Sequence, residues 1–365
     1  MKNEIKPINI LVKGLSLFIL INILFAVWQP KIGQFSAYNA IFPGRERLPF
    51  GENSAQAYNL SLFDLDAMFA SHVINDDQKQ DDEFRVILIG DSSVWGTLLK
   101  PEETLAGQLN SADMSACGKN VHVYNLGYPT ISLTKDVLML SYGMKYEPDL
   151  VIWLTTLEAF PMEKQLASPI VANNQETLNS LRSRYGLVFD PNDPAFVKQS
   201  SWIIVNRRAF ADIIRLQIYG VMWAATGIDQ IYPVNYEPAQ INLEDNEKFH
   251  EAKPPMLDTK SLAINALETG IRVAVDTPVM IVNEPMLISN GENSDIRYNF
   301  FYPRWAYDQY RDMMAELSQK NDWNYVDLWD AVPANEFTNS AIHLTPTGEG
   351  LLAEKLAPVI MATCK

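Results

Sequence analysis

Residues 86–96 read VILIGDSSVWG, in which an apolar run passes straight into Gly-Asp-Ser and a second glycine follows four positions after the first serine. An apolar run closed by glycine is the pattern of a strand buried on both faces, as in parallel sheets. Ser92 then stands where the chain leaves the strand's carboxyl end and enters a helix, and in open α/β sheets ligands bind at that edge. The pattern recurs along the chain. RVILIG (85–90), NVHVYNLG (120–127), PDLVIWL (148–154), TPVMIVNEP (277–285) and WNYVDLW (323–329) read as strands, and helical stretches such as LTKDVLMLSYGMKY and WAYDQYRDMMAELSQK lie between most of them. Strands alternating with helices imply right-handed crossovers and a five-stranded parallel sheet covered on both faces, an α/β fold.

One interval breaks this rhythm. About 120 residues separate the third and fourth strands, where a single crossover of ~30 would do, so an insertion is expected over residues 161–270. Its middle, SWIIVNRRAFADIIRLQIYGVMWAATG (201–227), is apolar but carries Arg207, Arg208, Asp212 and Arg215, a poor composition for a membrane span. An amphipathic helix packed on the core is the expectation, against a segment that lies on the membrane surface or covers the active site.

The chain is 365 residues long and 47% apolar, enough for a sizeable core, and its net charge of -15 argues against binding a phosphate backbone. No nucleic-acid partner is expected. Residues 8–28, INILVKGLSLFILINILFAVW, are apolar apart from Lys13, Ser16 and two asparagines. About 20 such residues cross a bilayer as a helix. Trp28 suits the far interface, and Pro30 stops the helix. Lys2, Lys6 and Lys13 precede or open the apolar core, so the positive-inside rule puts the N-terminus in the cytoplasm and everything after Lys31 outside. A cleaved signal peptide is the alternative, but no small-x-small site follows closely. Residues 1–29 are thus read as an anchor and 30–83 as a stalk with one docking helix, NLSLFDLDAMFASHVI. The acidic run NDDQKQDDE (75–83) is a solvated loop entering the first strand.

There are two cysteines, Cys117 and Cys364, which excludes a disulfide scaffold and a cysteine zinc cluster. Cys117 precedes a strand and Cys364 follows a helix antiparallel to the strands, so both fall at the sheet's amino-terminal edge. Outside the cytoplasm they are placed to pair, with two free buried thiols as the alternative.

A serine nucleophile needs a base within hydrogen-bond reach and donors for the oxyanion. Taken alone, Gly-Asp-Ser is a weak signal, and Ser92 after a strand reads first as a helix N-cap. Of the four histidines, His72 falls in the docking helix, His122 inside a strand and His250 in a polar part of the insertion. His343 stands in NSAIHLTPTGEGLLAEKL, where Thr345 and Pro346 read as N-cap and first residue of the terminal helix. That puts His343 in a loop after the fifth strand, on the same sheet edge as Ser92. IVNEPM (281–286) ends the fourth strand at that edge, so Asn283 and Glu284 are candidates for the cleft. The aromatic stretch DIRYNFFYPRWAYDQYR (295–311) is read as packing the insertion against the core rather than stacking on a sugar. No metal-ligand spacing, phosphate loop or dinucleotide fingerprint occurs, and neither metal nor cofactor is expected.

GDSSVWG, NLGYPT and IHLTPTGEGLLAEKL, in this order, resemble the SGNH or GDSL-type hydrolases over roughly residues 84–160 and 271–365. The resemblance implies a flavodoxin-like three-layer sandwich, Ser92 as nucleophile, His343 as base, and the backbone N–H groups of Ser92 and Gly127 as oxyanion donors. It implies a serine ester hydrolase or O-acyltransferase acting on acyl esters. The anchored topology resembles proteins that modify exported polysaccharides alongside a membrane-bound O-acyltransferase. Two blocks depart from the family pattern. The third, normally Gly-x-Asn-Asp, is Thr155, Thr156, Leu157 and Glu158, so the oxyanion-donating asparagine is missing; Thr156, Asn283 and Asn125 are candidate substitutes. The aspartate three residues before the histidine is Ser340, with Asn339 beside it; Asp327 and Asp330 are the nearest acids, and Asp91 adjoins the nucleophile. These departures motivate a second reading, a non-catalytic module that binds glycan or a partner.

Overall fold

The computed structural model describes residues 6–30, 65–69, 72–75, 78–196, 201–227 and 232–364, with Ala37 and Ile41 singly. The stalk expected between the anchor and residue 64 lies otherwise outside the described residues. The strands are β1 (Glu83–Ile89), β2 (Ser115–Ala116), β3 (Lys119–Asn125), β4 (Leu150–Thr155), β5 (Val279–Asn283) and β6 (Asn324–Asp327). The helices used below are α1 (Pro7–Trp28), α2 (Ser92–Trp95), α3 (Leu105–Ser111), α4 (Leu133–Gly143), α5 (Gln175–Tyr185), α6 (Trp202–Asn206), α7 (Arg208–Thr226), α8 (Ile264–Val273), α9 (Arg304–Asn321) and α10 (Pro346–Ala362).

The sheet runs β2-β3-β1-β4-β5-β6, and every pairing except β2 with β3 is parallel. The five parallel strands thus take the flavodoxin-like order 2-1-3-4-5, whose switch point lies between β1 and β4. Among the described residues the expected count of five strands is corrected to six. The extra strand is a two-residue hairpin arm, made possible because Cys117 and Gly118 both take positive φ (52° and 74°), as a tight two-residue β-turn demands.

Alternate residues of β1 feed two cores. Phe84, Val86 and Leu88 pack with Val123, Ile152, Val282, α3 and α10, whereas Ile87 and Ile89 pack with Tyr124, Val151, Trp153, α4, α8 and α9. Helices therefore cover both sheet faces, as three layers require. Cys117 and Cys364 form a disulfide across 247 residues, their Cα atoms 5.3 Å apart, which joins the end of α10 to the hairpin at the sheet's amino-terminal edge.

Of the expected docking helix, the described residues show a helical turn at Leu65–Phe69 and His72 in a bend; residues 59–64, 70 and 71 lie outside the described residues. The aromatic stretch packs as expected: Tyr302, Tyr307 and Tyr310 are fully buried in one ring cluster. In the long interval between β4 and β5, α7 buries Asp212 and Ile213 while leaving Ile214, Ile218 and Met222 exposed. Helix α1 is 22 residues long, apolar and almost wholly unburied, which gives it the length and composition of a membrane span.

Candidate active site

β1 delivers the chain to Gly90 and then turns sharply into α2. Asp91 caps that helix, its carboxylate accepting the Ser93 N–H at 2.9 Å, so Ser92 is the first helical residue and not the cap. Gly96 closes α2 after one turn at φ 89°, a value only glycine adopts without strain. At the other end of the sheet edge, Thr345 caps α10 through the Gly348 N–H and Pro346 opens it, which fixes the loop that carries His343.

Between these two turns Ser92 Oγ lies 2.8 Å from His343 Nε2, joining residues 251 apart in sequence. The other ring nitrogen, Nδ1, lies 3.3 Å from Asn339 Oδ1. That oxygen also accepts from the Thr338 hydroxyl at 3.2 Å, so the arrangement uses it as an acceptor. An imidazole protonated on Nδ1 has its Nε2 lone pair directed at the serine, the tautomer a general base needs. Burial lowers the His343 pKa below its ordinary value, while the Asp91 carboxylate pulls it up.

No carboxylate among the described residues bonds to His343. Asp327, expected as an orienting acid, instead accepts from Arg311 at 2.9 and 2.8 Å and from Asn283 at 2.8 Å. Asp327 ends β6, the edge strand three places from the β1 that leads to Ser92, so it lies away from the dyad. Asp330 is exposed, and Ser340 accepts only the Ile342 N–H, at 3.5 Å. The remaining histidines have other partners: His72 lies against Phe69, His122 stacks on Tyr124, and His250 pairs with Glu158 and Glu163.

The oxyanion donors divide. The Ser92 N–H makes no hydrogen bond among the described residues. The Gly127 N–H donates to Asn125 Oδ1 at 2.9 Å, an asparagine side-chain turn, so it is engaged rather than open. Gly127 is a glycine for steric reasons as well: a Cβ there would sit 2.4 Å from the Trp95 nitrogen and 2.8 Å from the Val94 carbonyl carbon. None of the proposed substitutes is open either. Thr156 is buried against the Tyr302 hydroxyl at 2.9 Å, Asn283 binds Tyr307 and Asp327, and Asn125 donates to the Val94 carbonyl at 2.7 Å.

Glu284 does not line the cleft. It is buried beneath α2, where one carboxyl oxygen takes the Ser93 hydroxyl at 2.5 Å and the other has no hydrogen-bond partner among the described residues. Burial, reinforced by the Asp91 charge, raises its pKa far above the usual carboxylate range. Glu349, on the first turn of α10, borders the same cavity of about 10 Å³ with Ser93 and Glu284, and burial pushes its pKa up to about 8. On the other side of the turn, Lys135 donates to the Gly90 carbonyl at 2.6 Å and to Asp136, which also accepts from the Trp153 indole at 3.1 Å. Burial lifts Asp136 to about 6 despite the lysine. Neither Glu349 nor the Lys135–Asp136 pair is among the residues the motifs single out, although two adjacent charges inside the apolar helix LTKDVLML are the signal of a buried pair.

Next to the His343 loop lies a groove of about 500 Å³, lined by Asn235, Tyr236, Asn290, Asn335, Phe337 and Thr345 together with aliphatic and proline side chains from residues 234–241 and Ala334. The Tyr236 hydroxyl reaches toward the Leu98 carbonyl at 3.5 Å, so the groove adjoins the loop after α2 as well as the His343 loop.

No protein-family model matches the chain, and no curated protein matches its sequence. Solved structures that it is similar to include Est24, a carbohydrate acetylesterase from Sinorhizobium meliloti, at 15% identity and a TM-score of 0.34, over 76% of this chain and 98% of that one. Another is the aryl esterase of M. smegmatis, at 13% identity and a TM-score of 0.33, over 76% and 97%. At such scores the likeness carries no mechanistic weight, and the reading of the site rests on the strand order and on the contact between Ser92 and His343.

Proposed function

We propose that the protein is a Ser-His enzyme acting on acyl esters. His343 Nε2 takes the Ser92 hydroxyl proton as Oγ attacks the acyl carbonyl, and the protonated imidazole then returns that proton to the leaving alkoxide. The Ser92 N–H donates to the tetrahedral oxyanion; the Gly127 N–H joins it only by giving up Asn125. Water releases the acyl group from Ser92, or a sugar hydroxyl accepts it. The 2.8 Å dyad contact at the switch-point edge is the observation that carries this reading. The groove next to the His343 loop supports a glycan, because a lining of amides, the rings of Tyr236 and Phe337 and aliphatic side chains, with no charged group among them, suits a neutral ligand better than a charged one.

In this reading residues 1–29 anchor the chain with its N-terminus in the cytoplasm, 30–83 form a stalk, 84–160 and 271–365 form the catalytic domain, and 161–270 are an insertion. The Cys117–Cys364 bridge supports an extracytoplasmic catalytic domain, since disulfides persist in oxidising compartments. The partner proposed with it is a membrane-bound O-acyltransferase, as the family resemblance implies. Fluorophosphonate treatment of the whole chain should leave an adduct on Ser92 that disappears in His343→Ala. The engaged Gly127 N–H favours one rival, a glycan- or partner-binding module without catalysis. Absence of an adduct under conditions that label a control esterase would decide for that rival.

A further inference from the structure

Among the described residues, helix α1 carries its contacts with the rest of the protein at one end. Phe25, three residues before that end, stacks on Phe210 at 4.1 Å between ring centroids, and the Gln29 amide donates to Asn206 at 2.5 Å. A 22-residue helix is about 33 Å long and a bilayer's hydrocarbon core about 30 Å thick, so its last turn emerges at the headgroup boundary. The residues that touch that turn, in α6 and at the start of α7, then share its depth.

The surface that α6 and α7 expose is apolar. On α6, Trp202, Ile203 and Ile204 are 59%, 40% and 47% exposed. On α7, Ile214, Ile218, Val221 and Met222 are exposed at spacings of four, seven and eight, one stripe of the helix, while Asp212 and Ile213 are buried. Of the three arginines in residues 201–227, Arg215 pairs with Asp212, the one acid of that stretch, and Arg208 donates to Asn173, so the segment keeps a net positive charge in a chain of net charge -15. Contiguous apolar surface beside arginines, with an exposed tryptophan, is the composition of a helix lying in the interface of an anionic membrane.

We infer that α6 and α7 form a second membrane contact, lying in the headgroup layer of the bilayer that α1 spans and holding the catalytic edge at a fixed height and tilt. The inference rests on the anchor reading above. An anchor alone fixes one point of a domain and leaves its tilt open. A second contact that starts at Phe25 and continues along α7 removes that freedom, which suits an enzyme whose acyl donor is supplied from the membrane.

The test uses the full chain in vesicles of phosphatidylethanolamine and phosphatidylglycerol, with one spin label per variant; Cys117 and Cys364 are bonded to each other and leave the label a single site. Labels go on Ile218→Cys, on Leu17→Cys within the anchor, and on Val234→Cys, which is 95% exposed. The expected result is that the residue-218 label collides with oxygen rather than with a water-soluble nickel complex, at a ratio severalfold above that at residue 234 and below that at residue 17. A ratio at residue 218 equal to that at 234 overturns the inference and leaves the anchor intact. Protection from both reagents also overturns it, because a protein surface then covers α7. An aqueous ratio at residue 17 defeats the anchor reading itself.

Discussion

The two sides of the Gly-Asp-Ser turn are built on opposite electrostatic plans. On the cleft side Ser92 meets His343, and His343 meets an amide, Asn339, with no carboxylate bonded to it. Beneath the turn lie Asp91, Glu284, Glu349 and the Lys135–Asp136 pair, every one of them buried. The charge usually spent on orienting a histidine is absent above, while titratable groups are concentrated below. Their placement indicates what they do: Lys135 holds the Gly90 carbonyl, Asp91 the Ser93 N–H and Glu284 the Ser93 hydroxyl. The lower cluster fixes the backbone from which Ser92 projects, and the cleft itself is left to neutral groups.

If that division is right, the upper side can be damaged without unfolding the protein. His343→Ala should cut ester turnover, or adduct formation at Ser92, by ~10²–10⁴-fold, the contribution of a general base. Thermal stability should barely change, because the ring bonds only Ser92 and Asn339. A variant that loses activity and fold together would show that both sides of the turn are one structural unit.

The lower side should behave in the opposite way. Lys135→Met leaves Asp136 buried beside an apolar chain, and breaking one partner of a buried pair costs about 3–5 kcal/mol. Denaturant unfolding should register that loss. The double variant Lys135→Met, Asp136→Leu should recover much of it, since the unpaired charge is gone. A double variant no more stable than the single one would mean that the bond from Lys135 to Gly90, rather than the ion pair, is what matters.

This contrast also explains what can be read from the chain alone. The parallel sheet is legible because each strand is a local apolar run, and the dyad because Ser92 and His343 both sit beside recognisable helix caps at one edge. What each polar atom bonds to is less accessible. Its place in the sequence makes Asp327 a candidate to orient His343, but it ends β6, the edge strand three places from β1, and Arg311, on α9, holds its carboxylate, a pairing that depends on how α9 docks. The family pattern makes the Gly127 N–H an open donor, although an asparagine two residues earlier is itself the sign of a side-chain turn that closes it. Glu349 follows the ordinary rule that acids suit a helix's first turn. That rule assumes solvent, and Glu349 has almost none.

Glu349 supplies a test in pH. Burial raises its pKa from 4.5 to about 8, so the folded protein keeps a proton that the unfolded chain releases above 4.5. The protein with more protons bound when folded loses stability as pH rises, here from about 4.5 until the group ionises near 8. A tenfold change in acid strength between the two states corresponds to about 1.4 kcal/mol, which bounds the loss at several kcal/mol. Glu349→Gln removes the titration, so the variant should gain on the parent steadily over that window and hold a constant difference above it. Parallel stability curves across the window would mean that Glu349 is already ionised in the fold.

The smallest expected effect sharpens the comparison most, because it adds to the cleft the charge it lacks. Asn339→Asp puts a carboxylate where the Asn339 oxygen now faces His343 Nδ1. In the parent, burial lowers the histidine's pKa, so the acid limb of the pH–rate profile should fall below the ordinary 6.5. A carboxylate at 339 favours the imidazolium and should move that limb toward higher pH, by about tenfold or more in proton concentration. Above the limb the base is deprotonated in both proteins, and the variant should be faster, because the new charge stabilises the imidazolium that forms as Ser92 attacks. A limb that moves with no gain in rate would mean that imidazolium formation does not limit turnover. A limb that stays in place would mean that residue 339 is not what Nδ1 faces in the working site, and the neutral character of the cleft would then need another explanation.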